Sequence, residues 1–499
     1  MTLIALIIGF AVLALIFTFL TRSVQKNFFI SFLQYFVGVW FVFSGIVKAI
    51  DPLGTAIKMQ QYFGEFQRTF AGTFLSSFAP IFSWLDHYVV GFSITMIVLE
   101  IVLGILIIIG HAPKTVTWIF LILNLFFLAL TGYTHLTGYV PSEVNFFDFA
   151  KWGNDYVKTN MRVTDCGCFG DFLKLEPTTS FKKDLYILTP IAFILLIFKA
   201  QLHVLFHRGI RRLIFLSTTL LSLIFCWYNT FQNEPVVDFR PFKPGVNILE
   251  RKKAEEKALG DTKTLFWKLA NSKTGETKTL TDDDYMKNKL YKVYNDSTGW
   301  KVADKINSEP LVPHSKISDF VVSDIKGDDV TETLMTEPNY LFVAVSYKMK
   351  SSETTGVFQV PDTIYKYDTV RMKLNKIDTF RVVKSLDHIG KREETIKSYS
   401  FDKDYSDLFK KKINPLFEAA EKAGYKIAGL VKYEVPKKID DFRHETQSAY
   451  PFYTADETVL ETMIRSNPGV YLFKNGTIIQ KWHINDLPKF SDIKEKYLK

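Results

Sequence analysis

Long apolar runs in the first half constrain the fold of this 499-residue chain more than any other feature. A hydrocarbon core about 30 Å thick requires about 20 helical residues to cross it. Only helices and closed barrels satisfy their backbone groups within such a core. The sequence therefore predicts an α-helical membrane bundle, followed by a soluble C-terminal half. The six predicted transmembrane helices are Leu3–Leu20, Ile30–Ile50, Val89–Gly110, Thr115–Leu136, Leu185–Leu205 and Leu213–Tyr228.

The distribution of basic residues predicts the orientation of these helices. In the apolar half, Lys and Arg concentrate in three short links, residues 21–27, 111–115 and 203–212. These links alternate along the chain, so the positive-inside rule places all three in the cytoplasm. Both termini, the longer links and the soluble half then lie outside. In a bacterial inner membrane that compartment is the periplasm.

The net charge of +9 does not by itself indicate a nucleic-acid partner, because the basic links are explained by topology and no nucleic-acid-binding module is recognisable. The predicted partners are instead membrane lipid and a periplasmic or membrane protein.

Two of the three cysteines, Cys166 and Cys168, lie one residue apart in a polar loop between the fourth and fifth predicted spans. Three interpretations are open. The pair is a redox dithiol, in which a thiolate attacks a partner disulfide; or one cysteine forms a structural disulfide elsewhere; or the thiolates bind a soft metal such as Cu(I) or Zn. We favour the redox dithiol, and we predict no metal and no cofactor.

Two further residues in the apolar half, Glu100 and Cys226, are candidates for function. Glu100 lies near the middle of its span, and an intramembrane carboxylate is a functional candidate by default. Alternatively, Glu100 is neutral or bonded to Ser or Thr. Lys48 is expected to snorkel to the interface. Cys226, near the outer end of the sixth span, is a possible resolving partner for the loop cysteines, or a buried small apolar residue.

The segments VGVWFVFSGIVKAIDPLG, VLEIVLGILIIIG and CGCFGDF resemble the DoxX family, which includes the MauE-like redox-associated membrane proteins. The resemblance implies a four-helix unit over residues 29–205 with an external cysteine loop. It leaves an extra transmembrane helix before it, residues 1–28, and a sixth helix after it, residues 206–230. Some members of the family are linked to thiol chemistry and to disulfide maturation of partner proteins.

The soluble half divides into two parts. Residues 231–313 predict a linker or small β-rich module, with strand-like runs at Thr264–Ala270 and Tyr291–Tyr294. Residues 314–499 alternate strand and helix and end in a hairpin with Asn475-Gly476 at its turn, an order typical of α/β domains.

This α/β part resembles the thioredoxin-like fold of the peroxiredoxin or TlpA-like branch, through SDFVVSDIKGDDVT and NPGVYLFKNGTII. The resemblance implies a groove bordered by Tyr347 and Pro468, a cis peptide before Pro468, and an insertion at about residues 351–404. No cysteine follows Cys226. The domain therefore cannot perform dithiol chemistry itself, and a role in partner binding is expected.

The predicted function is that of an inner-membrane protein associated with periplasmic thiol–disulfide chemistry, whose cysteine-less tail binds a partner. One alternative is a non-enzymatic accessory or docking subunit of a cell-envelope or protein-export complex. A second alternative is a small-molecule or quinone-linked membrane enzyme centred on Glu100. Whether the chain is an enzyme stays open.

Overall fold

A computed structural model describes residues 2–163, 166–374 and 376–498, and the chain forms two compact units. The first unit comprises Met1–Lys243 together with the short segment Met463–Ser466. The second unit comprises Pro244–Thr462 and Asn467–Lys499.

The first unit is built from α-helices. They are α1 (Leu3–Leu20), α2 (Phe28–Ile50), α3 (Pro52–Phe70), α4 (Ala79–His87), α5 (Val89–Ile109), α6 (Pro113–Leu136), α7 (Pro177–Lys183), α8 (Thr189–Ile197) and α9 (Arg208–Phe231).

Local sequence signals define where these helices begin and end. The Asn27 side chain accepts a hydrogen bond from the Ile30 amide and caps α2. Asp51 caps α3 by accepting from the Gly54 amide, and Pro52 occupies the first helical position, where its missing N–H costs nothing. α5 ends at Gly110, whose φ of 64° favours glycine.

Five of the described helices are long and apolar enough to cross a membrane: α1, α2, α5, α6 and α9. They correspond to five of the six predicted spans. The predicted span Leu185–Leu205 is instead a composite of α7, a π turn at Asp184–Leu188, and α8. Pro190 explains the irregularity, because it lacks the N–H that would bond the carbonyl four residues earlier, within the π turn. A sixth crossing at this composite segment stays a prediction.

Small residues let α2 and α5 pack closely. A Cβ atom on Gly104 would lie 2.8 Å from both the Gly38 carbonyl oxygen and the Val42 amide nitrogen. A Cβ atom on Gly45 would meet Ile101 Cγ1 at 2.5 Å. Close approach through small residues is the usual way in which membrane helices associate.

The second unit opens with α10 (Ile248–Gly260) and a three-stranded antiparallel sheet in the order β2-β1-β3. Its strands are β1 (Thr264–Asn271), β2 (Thr277–Thr281) and β3 (Trp300–Asn307). The predicted strand at Thr264–Ala270 is thus present. The predicted strand at Tyr291–Tyr294 is wrong, because Leu290–Lys292 is a 3₁₀ turn.

A five-stranded mixed sheet follows in the order β10-β9-β4-β7-β8. β4 (Tyr340–Ser346), β7 (Lys426–Lys432) and β8 (Phe452–Ala455) are parallel neighbours, whereas β9 (Gly469–Lys474) and β10 (Thr477–His483) are antiparallel. The helices of this region are α11 (Thr331–Met335), α12 (Lys403–Leu408), α13 (Asn414–Lys422), α14 (Pro436–Thr446), α15 (Glu457–Met463) and α16 (Phe490–Tyr497).

The predicted α/β order is present, and Asn475-Gly476 forms the β9–β10 turn, with φ of 47° and 73°. The expected opening hairpin at residues 318–331 is reduced to isolated bridges from Ser323 to Asp329 and Thr454. The range predicted as an insertion forms one long antiparallel hairpin of β5 (Ser351–Leu374) and β6 (Lys376–Phe401).

Candidate functional site

A cavity of about 190 Å³ lies within the first unit, and both loop cysteines line it. Its walls come from the C-terminal half of α2, the N-terminal half of α5, the C-terminal half of α6, the amphipathic helix α3, and α4. Aromatic side chains form part of the wall, including Trp40, Phe63, Phe66, Phe82, Phe92 and Phe127. Its polar groups include Ser44, Lys48, Glu100, Cys166, Cys168, Lys183 and Asp184.

The packing of Phe169 and a hydrogen bond from Ser44 hold the cysteine loop against the helices. Phe169 is fully buried, and its ring packs against Trp40 and Phe43 with centroids 6.2 Å and 6.1 Å apart. Ser44 Oγ lies 2.9 Å from the Cys168 carbonyl oxygen, which accepts the hydrogen bond. Cys166 and Cys168 are half-buried, and neither is disulfide-bonded. These contacts hold Cys166 and Cys168 at the cavity wall.

A buried ion pair forms one polar side of the cavity. Lys48 Nζ lies 2.6 Å from Glu100 Oε1, and both side chains are less than a tenth exposed. Ser44 Oγ lies 3.1 Å from the other Glu100 oxygen, so its single proton serves either the carboxylate or the Cys168 carbonyl at one time. The expectation that Lys48 snorkels to the interface is therefore wrong, because Glu100 attracts it into the bundle. The expected bond from Glu100 to a serine is present.

A second buried ion pair lies on the other polar side. Lys183 Nζ is 2.8 Å from Asp184 Oδ1, and the Thr131 hydroxyl donates to Asp184 Oδ2 at 3.0 Å. The Lys183 ammonium also attracts the thiolate forms of Cys168 and Cys166. A cation beside a thiol favours the thiolate, which is the reactive nucleophile. Sequence reasoning missed this pair, although a Lys-Asp dipeptide beside an apolar run was a detectable signal.

The C-terminal side of the loop is anchored by charge. Asp171 Oδ2 accepts a hydrogen bond from Arg465 Nη2 at 3.0 Å, and the same guanidinium pairs with Asp51 at 2.8 Å. Desolvation raises the pKa of Asp171, but Arg465, Lys174 and Arg240 outweigh it and hold that pKa below its usual range. Asp171 is therefore ionised at neutral pH and fixes the end of the CGCFGD segment.

Cys226 is completely buried in the apolar core of the first unit. It is not among the cavity-lining residues of the described chain. This placement agrees with the interpretation of Cys226 as a small apolar residue. Within the described residues, no three His, Cys, Asp or Glu side chains converge in a way that would hold a metal ion.

The two groove candidates of the second unit are brought together. The peptide bond between Asn467 and Pro468 is cis, as predicted. Asn467 Nδ2 donates to the Lys348 carbonyl at 2.7 Å, and the Lys348 amide donates to Asn467 Oδ1 at 3.2 Å. Tyr347 and Pro468 therefore lie at neighbouring positions, where the end of β4 meets the start of β9.

Residues 26–142 match the family model described as methylamine utilisation protein MauE. The match covers α2 to α6 and includes Ser44, Lys48 and Glu100, but it ends before the loop cysteines and the Lys183–Asp184 pair. No curated protein and no solved structure shows a significant match to the chain. The family match and the five apolar helices support a membrane protein with a redox or methylamine-utilisation context.

Proposed function

We propose that Cys166 and Cys168 form a thiol–disulfide exchange centre that oxidises cysteine pairs of a partner polypeptide. The observation that carries this proposal is that Cys166, Cys168 and Lys183 line one cavity, with the lysine close enough to both cysteines to interact with them electrostatically. The Lys183 ammonium attracts the negative charge that a loop sulfur carries as a leaving group. The coverage of the bundle by the MauE model supports the redox context.

The exchange proceeds in two balanced steps. A thiolate of the partner attacks one sulfur of the oxidised loop, a mixed disulfide forms, and the other loop cysteine leaves as a thiolate. The second partner thiolate then attacks the mixed disulfide and releases the first loop cysteine. The partner gains a disulfide, and the loop ends as a dithiol with both electrons.

We further propose that residues 314–499 are a thioredoxin-like domain that binds the partner and carries no redox chemistry. The parallel pair β4–β7, the antiparallel hairpin β9–β10 and the neighbouring positions of Tyr347 and Pro468 support this assignment. The expected ligand is an extended segment, recognised by strand pairing. The helices α2, α5, α6 and α7–α8 would correspond to a DoxX-type four-helix unit.

The proposed location is the bacterial inner membrane, with both termini and the cysteine loop in the periplasm. Protease added to spheroplasts should digest the tail beyond Pro235. Full protection of the tail would place the thiols in the reducing cytoplasm and contradict the proposed exchange.

Trapping of mixed disulfides tests the exchange. A Cys168→Ala variant should accumulate reductant-sensitive adducts with envelope proteins through Cys166, and Cys226→Ala should not change the adduct pattern. Two observations together would favour the docking-subunit alternative instead. The single variants would form no adduct, and partners would co-purify equally well with the Cys166→Ala/Cys168→Ala double variant.

A further inference from the structure

We propose that the cavity binds the head group of a membrane-soluble quinone, which accepts the two electrons of the reduced cysteine loop. This inference rests on the proposed exchange function, because it supplies the oxidant that returns the loop to its disulfide form. It names the second substrate of the same site.

The size of the cavity favours a single aromatic ring. An apolar cavity of about 150 Å³ accommodates one benzene molecule, and the present cavity measures about 190 Å³. That volume suits one substituted six-membered ring. The aromatic side chains of the wall, such as Phe63 and Phe92, offer the stacking and edge contacts that a planar ring prefers.

The position of the cavity favours a lipid-soluble ligand. Part of its wall belongs to three helices that are apolar enough to cross a membrane, α2, α5 and α6. Phe126 of α6 lines the cavity and is 41% exposed, so this wall reaches the outer surface of the bundle. A ligand dissolved in the bilayer can therefore approach the loop thiols without crossing a polar surface.

Polar groups in the cavity match the two carbonyl oxygens of a quinone. The buried Thr55 hydroxyl lines the cavity and, within the described residues, has no hydrogen-bond partner. Lys48 and Lys183 each carry three N–H donors, and the carboxylates of Glu100 and Asp184 do not exhaust them. Ammonium groups also stabilise the negative charge that develops on a quinone oxygen during reduction.

The redox step is balanced by the two thiols and the ring. Cys166 and Cys168 each lose one proton and together lose two electrons as the sulfur–sulfur bond forms. The quinone gains two electrons and two protons and leaves as the hydroquinone. No further oxidant, reductant or metal is required.

A stoichiometric reduction assay on the full chain in detergent micelles tests the proposal. Protein reduced beforehand and freed of reductant is mixed with decylubiquinone, and hydroquinone is measured by absorbance while thiols are counted by alkylation and mass spectrometry. We expect one hydroquinone for two thiols lost. Cys166→Ala or Cys168→Ala should abolish the reaction, and Leu130→Trp, which fills the cavity, should slow it about tenfold or more. Leu216→Trp on exposed α9 is the matched control and should react normally.

A gentler variant separates ring binding from thiol chemistry. Thr55→Val keeps the shape of the side chain and removes the hydroxyl, so it should raise the KM for decylubiquinone about three- to tenfold, the range expected for one lost hydrogen bond. Its rate of exchange with a water-soluble aromatic disulfide should not change.

The outcomes separate the two hypotheses. Loop thiols that exchange normally with the aromatic disulfide, but neither bind nor reduce decylubiquinone, would overturn the quinone proposal and leave the exchange function standing. Loop thiols inert to every disulfide would overturn the exchange function. In that case, saturable decylubiquinone binding that Leu130→Trp weakens would still support the ring site, and unsaturable partitioning would refute it.

Discussion

The buried pair of Lys48 and Glu100 allows a sharp test of what burial does to an ion pair. Replacing Lys48 with Met removes the cationic partner of a carboxylate that is 3% exposed. Removal of one member of a buried pair leaves an uncompensated charge and costs about 3–5 kcal/mol. Replacing both residues, by Lys48→Met with Glu100→Gln, removes the charge as well, and most of the lost stability should return.

The chain offers a control at the same distance. Lys158 and Glu176 also lie 2.6 Å apart, but they are 70% and 65% exposed. Solvent screens such a pair, so Lys158→Met should cost less than about 1 kcal/mol. Unfolding of the purified full chain in detergent, followed by tryptophan fluorescence against denaturant, gives the free energy of unfolding for all four proteins.

Two results would refute this reasoning. If Lys48→Met costs no more than Lys158→Met, burial does not determine the strength of the inner pair. If the double variant is as unstable as Lys48→Met, the loss comes from packing of the lysine stem and not from the unpaired carboxylate.

Three further predictions concern packing, access and pH. Gly104→Ala should destabilise the bundle by about 1–3 kcal/mol, because its Cβ atom would meet backbone atoms of α2, whereas Gly64→Ala, with nothing within 4 Å, should cause no loss in the same unfolding assay. A maleimide reagent read by mass spectrometry should modify the two loop cysteines of the reduced, folded protein well before Cys226; equal rates would contradict the burial of Cys226. Desolvation raises the pKa of Glu255, but hydrogen bonds from Ser318, Arg251 and Ser315 lower it below its usual range, so folding releases a proton in acid and stability rises with pH. Glu255→Gln should therefore cost about 1–3 kcal/mol at pH 7, and this cost should shrink below about pH 4. A cost independent of pH would contradict the assignment.

Features with a local cause could be predicted from the sequence. The Asn475-Gly476 turn needs two residues with positive φ, and both have it. The long apolar helices follow from composition over about 20 residues. Strand assignment was weaker: β3 (Trp300–Asn307) carries three charged residues, and pairing with β1 determines its conformation more than its own pattern does.

The cavity itself could not be predicted, because its parts are distant in the sequence. Glu100 was recognisable as an intramembrane acid, but its partner Lys48 lies 52 positions away, and no periodicity connects two helices. The cysteine pair was recognisable from its spacing. Its closeness to Lys183 depends on how the loop folds back through the buried Phe169.

The π turn at Asp184–Leu188 accommodates one more residue than a regular α-helical turn would. Lys183, Asp184 and Leu188 all line the cavity. In a regular α-helix, positions 183 and 188 would be about 140° apart around the axis, whereas the wider i to i+5 turn brings them back toward the same side. Loss of one residue from the turn would leave Lys183 and Leu188 four positions apart, about 40° around the axis of a regular α-helix, so Lys183 would stay on the side of the cavity. A one-residue deletion here would therefore keep the Lys183 ammonium on the side of the thiols, whereas a regular α-helix of unchanged length would turn it about 140° away from Leu188.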